Sequence, residues 1–365
     1  MDLIMKRLKL AGLILMCTLT ACNNDDNKVD TPAQAQTLPN SSNQSKMAHR
    51  ESVNLKILLN DLRIRNKPSL NGQVIDKLKE NTIVEWLGEI SQEQHSITLR
   101  GVKFKEPWLK IKTPLGKQGW AYAAATLPIS DSNYTNALRD KLYTQRAIHF
   151  FGNDVGQAVA KYRLRYQQAQ TDQQLAAAYT DIRLHRDRLV ERLREKVTIK
   201  QPEMDMSWIE YLMPSFTLVK AAEGTVYYPA ANFKRFAEKA QATQGSVDDR
   251  FFAFCQQLFP YDGMEGFFAN WFEQTWDYGG ESLLGQGKHL AALKAMDEQL
   301  QQSPLFAQTL KHYKNTLVRD ITNPETKFRE PKDKIKRELQ QILAKNFSIL
   351  TSKDKKVIKA RYRSL

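Results

Sequence analysis

A cysteine set among aromatic residues, six isolated histidines and one acid beside a pair of glycines are the groups whose types could carry chemistry in this sequence. Cys255 lies inside the run FFAFCQQLF. A thiol nucleophile needs an imidazole within hydrogen-bond reach to take its proton, and no strand bearing a histidine follows Cys255. In an apolar helix cysteine acts as a small hydrophobe, so packing is its expected role. His49, His95, His149, His185, His289 and His312 stand singly, without the spaced pair that brings ligands onto one ion. No metal site and no cofactor are expected.

The stretch WFEQTWDYGGESLLGQGKHL is the most unusual one. Trp271, Phe272, Trp276 and Tyr278 precede Gly279-Gly280, and Gly285, Gly287, Lys288 and His289 open a helix. A phosphate-cradling loop needs G-x-x-x-x-G-K-[ST], yet Gln286 follows the spaced pair Gly280 and Gly285. Glu281-Ser282 resembles the acid-base pair of lytic transglycosylases, helical enzymes that cleave the peptidoglycan glycan. The later Gly-Leu-Met-Gln element of that family is missing, and Glu281 follows two glycines instead of lying on an apolar helix. A helix-loop-helix turn is expected here, its tryptophans in the core and its glycines supplying positive backbone angles. The alternative is a pocket lined by Trp276, Tyr278 and Glu281, with peptidoglycan cleavage through Glu281.

The elements that would position such groups begin after an export signal. Lys6, Arg7 and Lys9 precede the uncharged run LAGLILMCTLTA, which has the basic and apolar parts of a secretory signal. The run is too short to span a bilayer, which needs about 20 apolar residues. Its end, Leu19-Thr20-Ala21-Cys22, resembles the lipobox of bacterial lipoproteins in all its positions. That resemblance implies removal of residues 1–21 and acylation of Cys22. It places the protein on the cell membrane or outer membrane, facing the periplasm or the surface. Asn23 favours outer-membrane sorting, and Asp25-Asp26 resembles the acidic export tag of some surface lipoproteins. Only Cys255 remains as a thiol once Cys17 is removed and Cys22 acylated, so the exported chain forms no internal disulfide. Residues 22–52 are rich in Asn, Gln, Ser, Thr and Asp and read as a flexible tether.

From residue 53 to 130 the texture is short alternating runs separated by Gly, Pro, Asn and Ser, the pattern of a small all-β domain. LRIRxxPSL, VIDKLKENTIVEWLGE and WLKIKTxxGKxGWAYAxxxL, in that order, resemble the bacterial SH3 family. The resemblance implies a small SH3-like β-barrel that binds cell-wall peptide or a protein partner. Trp86, Trp108, Trp120 and Tyr122 are the candidate aromatic residues, with packing as the competing role for some of them. Arg63, Arg65, Lys110 and Lys112 alternate with apolar neighbours and should face outward, where they would suit the carboxylates of stem peptides. An insert, SITLRGVKFKEP, lies between Gly88 and Trp108 and is expected to alter one wall of any binding groove. The reading that competes with peptide binding is that it covers the groove and turns the barrel into a spacer or a docking face for the helical domain.

Residues 131–365 read as a mainly α-helical domain in which strand signals nearly vanish. Leu175 to Val197 has strong helical periodicity. Ser207 and Ser246 stand three residues before an acid as N-caps, and Pro304 fits a first helical turn. TVYYP, Thr225 to Pro229, is a short extended candidate. The final stretch from Lys327 is strongly basic. It is either a solvated helical surface or a face drawn to anionic headgroups. The excess of 54 Lys+Arg over 40 Asp+Glu, a formal +14, calls for an anionic partner. Export directs that expectation to lipid or wall polymer and away from nucleic acid. The whole reads as a multidomain, membrane-anchored envelope protein without enzymatic activity.

Overall fold

The computed structural model describes residues 52–365, apart from 222–223, 225, 262, 267 and 276–278. The signal, Cys22 and the tether lie outside the described residues, as do Trp276 and Tyr278. A strand-rich region precedes a mainly helical one.

The first region runs through β1 (Val53–Ile57), β2 (Leu62–Arg65), β3 (Val74–Leu78), β4 (Ile83–Ile90), β5 (His95–Leu99), β6 (Val102–Glu106), β7 (Trp108–Lys112), β8 (Gln118–Tyr122) and β9 (Thr126–Pro128). Seven of these form one antiparallel sheet in the order β3-β2-β8-β7-β4-β1-β9. Val53, Leu55 and Ile57 are buried while Asn54 and Lys56 are not, so period-two alternation gives the sheet one core face. The insert forms the separate hairpin β5–β6. Its turn, Arg100-Gly101, has positive φ at both residues, as two-residue hairpin turns favour.

Ten α-helices follow among the described residues: α1 (Asn133–Phe151), α2 (Asn153–Gln168), α3 (Asp172–Lys196), α4 (Ser207–Leu212), α5 (Phe233–Ala240), α6 (Val247–Leu258), α7 (Lys288–Gln302), α8 (Ala307–Thr322), α9 (Lys332–Ala344) and α10 (Ser352–Ser364). Helices α1 and α2 approach so closely at Gly156 that a Cβ there would stand 2.5 Å from the Cα of Ile148. Further along, Phe251 stacks on Phe306 with ring centroids 3.7 Å apart, and Phe236 on Phe252 at 4.9 Å. Cys255 is fully buried in this aromatic core, and burial pushes its thiol pKa well up. That is the packing role expected of it.

Strands persist in the helical region beyond what its composition indicates. β10 (Phe216–Ala221) pairs with β11 (Val226–Ala231), which contains most of TVYYP. β12 (Phe272–Gln274) pairs with β13 (Gly280–Ser282), so the aromatic and glycine-rich stretch is a hairpin and not a helix-loop-helix turn. A Cβ at Gly280 would overlap the Phe272 ring, so glycine is what lets the two strands close over that ring. Residues 304–306 form a turn, and α8 begins only at Ala307. Ser207 is itself helical, its amide donating to Asp205, and the Ser246 hydroxyl receives Arg250 instead of capping α6.

The two regions share one continuous apolar core. The Phe104 and Phe150 rings lie 6.0 Å apart across the junction. Val102 bridges Val197, and Arg100 donates to the Glu203 carbonyl at 3.1 Å while pairing with Glu80 at 2.6 Å. Strand alternation then buries Glu106 beside Phe104, where it meets Arg146 of α1 at 2.8 Å with side-chain exposures of 2% and 5%. The insert therefore docks on the helical region.

Candidate functional site

The link from β9 to α1 spans only residues 129–132, so the first helix must begin beside the strand region it has just left. Ser132 caps it by accepting the Thr135 amide at 3.1 Å. Arg139 then clamps it, donating to the Pro128 carbonyl at 2.7 Å. Leu138 and Leu142 turn into the core, and the opposite side of the first turn carries Tyr134, still 42% exposed.

Tyr134 lies over Trp86 of β4, with ring centroids 5.4 Å apart and planes inclined by 29°. β4 changes register between Trp86 and Ile90, with Gly88 at φ +86, a conformation that side-chain-bearing residues rarely adopt. The irregularity brings the Glu89 carbonyl onto the Trp86 indole N–H at 3.0 Å, which fixes the ring. Together Trp86, Gly88, Ile90, half-buried Trp120 and Tyr134 line a groove of about 500 Å³ that is closed on the helical side by Leu138 and Lys141. At its rim Glu89 pairs with Lys110 at 2.6 Å, with exposures of 54% and 31%. So exposed a pair is held by no more than about 1 kcal/mol, and a ligand's ammonium or carboxylate can replace either partner. Flat aromatic faces beside an amphoteric rim suit an extended peptide.

Of the residues expected to bind, Trp86, Trp120 and Lys110 are gathered at this groove. Arg65 is paired in register with Trp120, and its guanidinium donates to the Gly72 carbonyl at 2.6 Å. Arg63 is exposed on β2 opposite Lys77, and Lys112 is exposed at the end of β7. Trp108 and Tyr122, each 2% exposed, lie elsewhere. Their rings pack 5.6 Å apart, Trp108 Nε1 meets His95 Nδ1 at 3.1 Å, and Tyr122 donates to the His95 and Phe104 carbonyls. They seat the insert and offer no face to a ligand. No residue of the insert lines the groove. Tyr134 escaped the sequence reading because it lies past the last strand; its signal is an aromatic residue at the second position of a capped helix.

The other candidate chemistry is placed just as definitely. Glu281 lies in β13 opposite Glu273, which pairs with Arg329. Ser282, His289 and Asp320 come together, but not as a nucleophilic triad. Asp320 Oδ2 takes both Ser282 Oγ at 2.6 Å and His289 Nε2 at 2.8 Å, so the imidazole does not stand between acid and hydroxyl. Ser282 and His289 are also fully buried. The glycine-rich start of α7 is filled by the protein's own Glu338, which accepts the amides of Gly285 at 2.5 Å, Gly287 at 2.9 Å and Leu290 at 2.9 Å. That carboxylate occupies the position a phosphate would need. Among the described residues no three His, Cys, Asp or Glu side chains gather as for a metal ion.

Comparison with protein families finds the bacterial SH3 domain at residues 60–127. Neither the curated proteins nor the solved structures gave a match. The matched segment contains Trp86, Gly88, Glu89, Ile90, Lys110 and Trp120, whereas Tyr134, Leu138 and Lys141 lie beyond it.

Proposed function

We propose that this is a non-enzymatic cell-envelope lipoprotein that binds cell-wall peptide in the groove between its SH3 domain and α1. The observation that carries the reading is the Trp86–Tyr134 stack beside Trp120. Tyr134, 42% exposed, and half-buried Trp120 supply the accessible aromatic surface, with buried Trp86 backing the Tyr134 ring, on a domain whose family suggests wall-related binding. The Glu89–Lys110 pair and Lys141 supply opposite charges at the rim for the amino and carboxyl groups of a stem peptide. An envelope protein partner presenting an extended segment would use the same features.

Acylation of Cys22 would hold the chain at the membrane. A catalytic role for Glu281 has no support in its surroundings. It lies on a three-residue strand in register with Glu273, and that carboxylate is taken by Arg329, so its strand partner is not free to serve as the second carboxylate of glycoside hydrolysis.

Incubation with purified sacculi separates the two activities. The binding reading expects the protein to sediment with sacculi and release no soluble muropeptides. Release that disappears in Glu281→Gln would replace it with the lytic one.

A further inference from the structure

We infer that the outward face of α10 docks on an anionic phospholipid surface. Residues 327–365 carry thirteen Lys and Arg against four Asp and Glu, most of the net charge of the chain. None of the four acids is free. Glu338 is buried on the amides of Gly285, Gly287 and Leu290, and Asp354 is held by Lys314 at 2.6 Å. Glu330 pairs with Lys334, and Asp333 with Arg337.

Helix α10 is fixed in orientation. Thr351 and Asp354 form a reciprocal cap, and Ile358, 0% exposed, anchors the inner face with half-buried Arg361, Tyr362 and Leu365. Helical periodicity then turns Lys353, Lys356, Val357, Lys359 and Arg363 outward, all exposed. This face holds no carboxylate, and none of its four cations has an ion-pair partner among the described residues. An exposed valine among four cations fits the boundary between headgroup and acyl chain, where apolar contact and phosphate attraction act together. The inference goes beyond wall binding and does not depend on acylation of Cys22.

The test uses the chain from Asn23 onward, which contains the whole described unit and lacks both signal and acyl group. Its binding to phosphatidylcholine vesicles is measured with and without phosphatidylglycerol. Each basic residue near the surface contributes about 1 kcal/mol, or roughly fivefold in affinity. Combined Lys353→Gln, Lys356→Gln, Lys359→Gln and Arg363→Gln should therefore weaken binding to the anionic vesicles on the order of several hundredfold. Removing four exposed lysines elsewhere, Lys77, Lys103, Lys161 and Lys234, should change it far less. Circular dichroism confirms that each variant is folded. Equal binding to neutral vesicles, an equal loss in the control variant, or binding confined to anionic wall polymer would overturn the inference.

Discussion

The ion pair between Glu106 and Arg146 is the sharpest test of how the strand and helical regions are joined. Arg146 Nε lies 2.8 Å from Glu106 Oε1, and its guanidinium also faces the rings of Phe104, Tyr143 and Trp208 at 5.0 to 5.6 Å. Burial alone would lower the Arg146 pKa, but Glu106 outweighs it and holds the guanidinium above its ordinary value. Arg146→Met would remove the cation and leave an uncompensated carboxylate at a position 1% exposed. Breaking so deeply buried a pair costs about 3–5 kcal/mol. Replacing both members, Glu106→Leu with Arg146→Met, removes the stranded charge and should recover most of that loss, to within about 1–2 kcal/mol of the parent. Urea unfolding is followed in parallel by helical circular dichroism and by Trp fluorescence. Because the regions share one core, both probes should shift together. A shift in one probe alone, or a loss below about 1 kcal/mol for the single variant, would refute the coupling.

Acid should weaken the fold through Glu265. Burial would raise its carboxyl, but Arg183 and Arg186, bonded to it at 2.7 and 2.9 Å, outweigh burial and bring it from the ordinary 4.5 to about 2. Its stabilisation is complete above the unfolded value near 4.5 and drains as pH falls toward about 2, a slope that Glu265→Gln should flatten in pH-dependent unfolding. Glu338→Ala strands the amides of Gly285, Gly287 and Leu290 and should cost about 2–3 kcal/mol in denaturant unfolding. Cys22→Ala should abolish incorporation of labelled acyl chains and move the protein out of the membrane fraction.

The strand region was legible because its core is built by alternation, which the LRIR run displays directly, with Ile64 buried and Arg63 exposed. Helix α3 was legible for the corresponding reason, with Leu175, Tyr179, Ile182, Leu189 and Leu193 buried along one side. The β12–β13 hairpin was hidden because its strands are three residues each, too short for any period to register. Pro304 misled because a proline suited to a first helical turn also suits the turn before one.

Half of the groove was readable and half was not. Trp86, Trp120 and Lys110 sit in the recognisable segment, but burial of Trp108 and Tyr122 depends on where the insert docks. Tyr134 and Lys141 join the site only through the short link that brings α1 back beside β4. Such proximity is a property of the folded chain and leaves no mark in local spacing.

The central claim is that the groove beside Trp86 takes up cell-wall peptide. Titrating the folded chain with purified sacculus fragments, while following Trp fluorescence, tests it most directly. The account predicts a saturable change that Tyr134→Ala weakens about tenfold or more, since this exposed ring supplies one face of the groove and little of the core. A folded parent that shows no change up to about millimolar fragment, or a response that Tyr134→Ala leaves untouched, would contradict it.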